Sequence, residues 1–362
     1  MSLLIKCVVL ALTLLQCDGW TSINPFLEVD AGCPRFAAVG FSTGAGAGHQ
    51  FGDFVFTFIL ATEMNATVIY DDRITGTTGD HGENWIHNFL HLESLPYNLS
   101  MVQQAFPGIS VVHPVTWADA VRDYSTACKV VVIISDNTCE GPDGKPTWCF
   151  MAKRGAYQSA KWPIRELFYS HEGTGMFKPM YDESNYNIAL HLRTGDITPH
   201  ANEVAYFENL IQFVTRTLKG ITHKYYIFFM PQPGFRLSML RGKHKNLYPV
   251  GFESLEHILP KDTVLVSDLG PEASTRHFMA SDMLITTGSS FPSIAGLLTM
   301  TSTILSSCPK EGCSPNIVES QLTDDMVLIT ASGLPASVDD RQLRSKLVTM
   351  AFRKRMSGHG LL

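Results

Sequence analysis

The chain of 362 residues carries a formal net charge of −6, with 45% hydrophobic and 17% charged residues. That length exceeds one ordinary core and points to about two domains, and the apolar share excludes a disordered chain. With no basic balance, nucleic acid is not expected as a partner.

Residues 1–6 hold one lysine, residues 8–15 are an apolar run, and Cys17-Asp18-Gly19 places small residues before a cleavage point at Trp20. Residues 1–19 therefore read as a secretory signal peptide or an uncleaved signal-anchor, and both stay open. The run is short for a bilayer span, which takes about 20 residues. Either way the body of the chain is expected in the endoplasmic reticulum or Golgi lumen, or outside the cell. It meets a membrane only through such an anchor.

Residues 35–41 predict a short apolar strand, 42–48 a loop of Gly and Ala, and 49–64 a helix with apolar spacing through Phe54, Phe58 and Ala61. Strands follow at 67–70, 109–113 and 130–134, with an amphipathic helix at 116–127 and a long helix at 151–170. A second round opens with the strand from Asn187. It continues with a helix at 203–218, strands at 225–230 and 263–266, a helix at 271–281 and a strand at 283–286. A turn at Gly288 opens another helix, residues 303–305 are a strand, and 339–355 are a basic amphipathic helix. Strands alternating with helices argue for parallel sheets. The fold class is α/β, with two Rossmann-like domains facing a cleft, at 20–180 and 181–335, and a basic tail at 336–362.

Eight cysteines are present, and the signal removes Cys7 and Cys17, leaving an even six for disulfides. Cys139–Cys149 and Cys308–Cys313 flank short Gly/Pro-bearing loops and predict local staples, which leaves Cys33 for Cys128 as the weakest pairing. Zinc is the rival reading, but no Cys-x-x-Cys pair supports it. Asn65-Ala66-Thr67 and Asn98-Leu99-Ser100 are glycosylation sequons. Asn65 falls at a helix end, where it could equally be a helix stop.

Three segments carry the chemistry. In Ile188-Ala189-Leu190-His191-Leu192-Arg193-Thr194-Gly195-Asp196 an apolar strand ends in His, Arg and Asp. Open α/β sheets bind ligands at strand ends, and an Arg fork grips phosphate oxygens in pairs. A surface Arg–Asp pair is the plainer alternative. Gly44-Ala45-Gly46-Ala47-Gly48-His49 lies between strand and helix, where glycines permit close backbone approach and helix amides attract anions. Thr286-Thr287-Gly288-Ser289-Ser290-Phe291 joins a strand to a helix, with hydroxyls and free amides suited to a phosphate. A serine capping that helix is compatible with this reading.

In this order the three segments resemble the motifs of GDP-fucose-dependent fucosyltransferases of the GT-B architecture. These include the α1,2-, α1,6- and protein O-fucosyltransferases. Gly48-His49-Gln50 is similar to their Gly-Asn-Gln, with His49 departing from Asn. His191-Leu192-Arg193 with Asp196 matches their His-x-Arg and following Asp, and Tyr206-Phe207 matches a trailing aromatic pair. Ser281-Asp282 and Ser289-Ser290-Phe291 match the late motif, although Pro292-Ser293-Ile294 departs from the tryptophans of the α1,2 class. The resemblance implies inverting transfer of fucose from GDP-fucose to a glycan or protein acceptor. It makes Arg193, His191 and Asp196 the catalytic set, with Arg193 on the β-phosphate. Gly46, Gly48, His49, Asp268, Ser289, Ser290 and Phe291 become the donor-binding set. It also implies that the last helix crosses back to brace the first domain.

Arg193 and helix amides can stabilise the leaving diphosphate without a metal. No Asp-x-Asp spacing presents one, so neither metal nor cofactor is expected. An inverting transfer needs a base, and Asp53, Asp71, Asp72, His49 and His81 are candidates in loop regions of the first domain. The basic run Arg236, Arg241, Lys243, His244 and Lys245 reads as a solvated face. Two other functions remain open: a secreted sugar-binding pseudo-enzyme of the same fold, and an NAD(P)-dependent oxidoreductase using Asp71 or Asp72 on a ribose.

Overall fold

A computed structural model describes residues 29–40, 47–72, 85–134, 139–140, 146–147, 155–171, 177–192, 203–229, 257–266, 269–286, 291–299, 302–306, 323, 326–329, 345 and 347–349. The first half runs β1 (Arg35–Val39), α1 (Ala47–Met64), β2 (Thr67–Tyr70), α2 (Trp85–Phe89), a 3-10 turn (Leu92–Ser94), α3 (Leu99–Ala105), β3 (Ser110–Val112), α4 (Trp117–Tyr124) and β4 (Val130–Ile134). A small hairpin, β5 (Cys139–Glu140) and β6 (Pro146–Thr147), and the helix α5 (Ala156–His171) follow. The second half runs β7 (Tyr186–Leu192), α6 (Glu203–Thr217), β8 (His223–Phe229), β9 (Val264–Val266), α7 (Pro271–Ala280), β10 (Met283–Ile285), α8 (Phe291–Leu298), β11 (Ser302–Ser306) and β12 (Met326–Ile329).

The first sheet is parallel throughout, in the order β2-β1-β4-β3. Runs such as Val130-Val131-Val132 suit it because both faces are covered. Ala37, Val39, Val68, Val130 and Val132 face α1, α4 and α5. Phe36, Ala38, Ile69, Val131 and Ile133 face Leu99 and Val102 of α3. Asn98 starts α3 by accepting the Met101 N–H at 2.8 Å, and Thr116 starts α4 by accepting that of Asp119 at 3.0 Å.

The second sheet is also parallel, in the order β12-β11-β10-β7-β8-β9. Counted from β7, this is the 3-2-1-4-5-6 order of doubly wound nucleotide-binding sheets. Ile188, Leu190, Tyr225, Ile227, Met283 and Ile285 pack with α6 on one face. Ala189, Tyr226, Phe228 and Leu284 pack with α7 and α8 on the other.

The two halves share one apolar core. Phe54, Tyr157 and Ile164 of the first half and Phe278, Ile294 and Leu298 of the second belong to the same buried cluster. At its edge Arg165, 3% exposed, donates from Nε to the Leu297 carbonyl at 2.6 Å and from Nη2 to the Thr299 carbonyl at 2.5 Å. The Tyr169 hydroxyl donates to the Leu298 carbonyl at 2.8 Å. These carbonyls end α8, where a helix leaves acceptors without internal partners.

Cys33 and Cys128, the pairing given least weight, form a disulfide. They precede β1 and β4, which lie side by side in register. Cys139 pairs through its backbone with Thr147 in the hairpin. Its proposed bond to Cys149, and that of Cys308 to Cys313, lie outside the described residues. Of the tail, Leu347 is fully buried in the second half's own core, in one cluster with Tyr186 and Ile188, while the expected brace against the first domain lies outside the described residues. The Tyr186 hydroxyl donates to the Leu347 carbonyl at 3.4 Å.

Candidate functional site at the β7–β10 switch point

Strand order reverses between β7 and β10, and in open α/β sheets the crevice beyond such a pair takes the ligand. Ile285, the last residue of β10, pairs with Leu190, and β7 runs on beyond it to Leu192. Beyond Leu190 come His191, Leu192 and then Arg193; beyond Ile285 come Thr286, residues 287–290 and then α8. Two segments almost a hundred residues apart in sequence thus meet at neighbouring strand tips.

His191 and Phe291, one expected site residue from each segment, lie with ring centroids 5.7 Å apart. Phe278 of α7 is 5.8 Å from His191 and 4.8 Å from Phe228, giving the tip an aromatic floor. Ala189 shares the buried face with Leu284, and strand alternation puts His191 on that same side. Arg193, Asp196, Gly46, Asp268, Ser289 and Ser290 lie outside the described residues, as do His81 and the basic run at 236–245.

The other expected residues separate by position. Gly48 and His49 lie in the first turn of α1, and Asp53 one turn on. His49 and Asp53 are therefore helical, as the helix expected at 49–64 has them, and not in the loop regions expected of them as base candidates. Asp71 and Asp72 directly follow β2, and Asp72 accepts the Ser100 N–H at 3.1 Å. Burial drives the Tyr157 phenol up so that it stays protonated, the Ser293 hydroxyl opposes that rise, and the Asp53 carboxylate adds to it. Ser293 belongs to the first turn of α8, so the Tyr157 phenol of α5 stands within electrostatic reach of both α1 and the switch-point helix.

Asp282, part of the late motif, stands at the opposite end of the sheet. Its Oδ2 accepts the Asn187 N–H at 2.8 Å and the Asn187 side-chain amide at 3.3 Å. It ties the start of β10 to the start of β7, which sets the register of both tips. Its role here is structural, although adjacency in the motif gave no hint of that.

Sequence reasoning also missed His277 and Phe278. His277 sits among Phe177, Tyr181 and Phe228 at centroid distances of 4.7, 5.7 and 5.9 Å. Burial lowers its pKa to about 4, so at neutral pH it supplies no charge. Among the described residues no three His, Cys, Asp or Glu side chains gather to hold a metal ion. No helix among them is long and apolar enough to cross a membrane.

No protein-family model matches the sequence, and no curated protein matches it. Solved structures with a similar arrangement include an Arabidopsis thaliana FUT1 mutant in complex with GDP, at 12% identity, covering 80% of this chain and 74% of that one, with TM-score 0.38. POFUT1 in complex with GDP is 8% identical over 74% of this chain and 98% of its own, with TM-score 0.37. The glycosyltransferase SnogD from Streptomyces nogalater is 13% identical over 90% and 95%, with TM-score 0.33. Likenesses this distant assign no activity, donor or acceptor to the chain. What the structure itself establishes is a pair of parallel-sheet α/β domains.

Proposed function

We propose that the chain is a GT-B glycosyltransferase that moves fucose from GDP-fucose to a glycan or protein acceptor by a metal-independent, inverting reaction in the secretory pathway. One observation carries the reading. The His-Leu-Arg segment and the Ser-Ser-Phe segment flank the same switch point, with His191 and Phe291 in ring contact.

In this reading Arg193 holds the β-phosphate with its rigid fork. The start of α8 supplies amides, and Ser289, Ser290 and Phe291 line the diphosphate. Gly46, Gly48, His49 and Asp268 complete the donor site. As the glycosidic bond breaks, negative charge gathers on the diphosphate, and fixed donors there lower the barrier. The acceptor hydroxyl gives its proton to a base. Asp53, Asp71, Asp72, His49 and His81 remain the candidates for it.

A thermal-shift panel of GDP, UDP, ADP and NAD on the full chain tests the reading. Selective stabilisation by GDP is expected. Stabilisation by NAD alone replaces it with the oxidoreductase that would use Asp71 or Asp72. No nucleotide response replaces it with the sugar-binding module. Arg193→Lys should then cost about 3 kcal/mol of transition-state stabilisation, more than 100-fold in transfer, as loss of one oxyanion-type donor does. Unchanged turnover in that variant removes Arg193 from the mechanism.

A further inference from the structure

We infer that the folded protein carries an N-linked glycan at Asn65, added to the nascent chain, and none at the second sequon, Asn98. The inference is independent of the proposed transferase activity.

The two sequons sit in opposite environments. Asn65 follows α1 with φ of 50°, in the left-handed region that Asn and Gly tolerate best. Its own N–H donates to the Thr62 carbonyl at 3.3 Å, and the Ala66 N–H donates to the Ala61 carbonyl at 2.8 Å. Those two bonds are the paired backbone cap that closes a helix. The backbone alone stops α1, and the exposed side-chain amide is not needed for it. Helix stop and glycan acceptor, alternatives in the sequence, coexist in the structure.

Asn98 is used by the fold. Its Oδ1 caps α3 through the Met101 N–H at 2.8 Å, and its Nδ2 donates to the Tyr70 hydroxyl at 3.4 Å. Its backbone also bridges to Tyr70 at the end of β2. A sugar there replaces one Nδ2 hydrogen and crowds the Tyr70 hydroxyl 3.4 Å away, so a chain modified at Asn98 does not complete the docking of α3 beside β2 and is absent from the folded protein.

The Cys33–Cys128 disulfide is a separate indication of an oxidising lumen, where such transfer takes place. Timing follows from the third sequon residue. Thr67 is 1% exposed and pairs with Phe36 in the sheet, so its hydroxyl is lost to an enzyme once β2 docks on β1. The glycan is therefore added before β2 pairs. In that step the anomeric C–O bond of a lipid-diphosphate-linked oligosaccharide breaks, a C–N bond forms to Asn65 Nδ2, one amide proton leaves, and the lipid diphosphate departs.

The test is expression of the full chain in a eukaryotic secretory host, followed by enzymatic deglycosylation and peptide mass analysis. The expected result is one glycan, with Asn converted to Asp at position 65 on release. Asn65→Gly keeps the left-handed cap and should abolish the mobility step while the protein still folds; Asn65→Gln should abolish it too. Asn98→Gln should keep the step. A chain without a step, a step lost with Asn98 rather than Asn65, or two steps would each overturn the inference.

Discussion

Arg165→Met cuts the bonds that fasten α8 to α5. Arg165 is buried and donates to two of the terminal carbonyls of α8, and its charge complements the negative end of that helix. A hydrogen bond from a charged donor contributes about 1.5–3 kcal/mol, so losing two costs about 3–6 kcal/mol. That is a large share of the roughly 5–15 kcal/mol of a typical protein. With an unfolding entropy of about 2.1 cal/mol/K per residue, a chain of 362 residues unfolding as one unit should lose roughly 4–8 °C in Tm. Scanning calorimetry on the parent, Arg165→Met, Arg165→Lys and Tyr169→Phe gives the comparison. The lysine variant should fall between parent and methionine, because one ammonium replaces one arm of the fork. Tyr169→Phe removes a single neutral bond and should cost only about 1 kcal/mol. A methionine variant melting within about 1 °C of the parent refutes the reasoning. So does a Tyr169→Phe loss as large as its own.

Three further outcomes are expected. Transfer from GDP-fucose should persist in excess EDTA; loss on chelation with recovery on manganese would show that an ion carries the diphosphate charge. Cys33→Ser with Cys128→Ser opens a loop spanning 95 residues and should destabilise by about 4–5 kcal/mol on the chain-entropy account; equal denaturant midpoints in parent and variant would contradict it. Burial lowers the His277 pKa from 6.5 to about 4, so the unfolded chain takes up the proton first. Its contribution is complete above pH 6.5, declines as pH falls toward 4, and changes no further below that. His277→Phe should flatten that part of the urea-midpoint profile between pH 7 and 4.5, and an unchanged profile would exclude the histidine as its cause.

The helices and strands with long periodic or unbroken apolar runs were legible. Val130-Val131-Val132 and Ile188-Ala189-Leu190 sit where the pattern places them. The strand Met326–Ile329 was not, because four apolar residues without a bounding helix look like any buried turn. Yet β12 completes the six-strand order. The short α2 and α3 were also missed; the Asn98 cap is a side-chain signal that a search for apolar spacing passes over. At the site, residue types pointed to the strand tips, but only strand order shows that the tips of β7 and β10 are neighbours. Nothing in sequence spacing distinguishes Asp282, which ties strands at the far end, from Asp196, which follows β7 in the chain. Nor could it show Arg165 capping carbonyls 132 and 134 positions away.

The Cys33–Cys128 bond bears on folding kinetics. The bonded pair stands at the entrance to β1 and β4, adjacent strands whose residues are about 95 apart in sequence. Contacts of such separation are slow to form, since the intervening chain must be closed before pairing rewards it. During synthesis β1 waits for β4, with its apolar edge open, until both have emerged. Once they pair, the two sulfurs lie within bonding reach. Disulfide formation is thus a chemical timestamp for completion of the first sheet, and alkylation of free thiols at successive times would read out its closure directly.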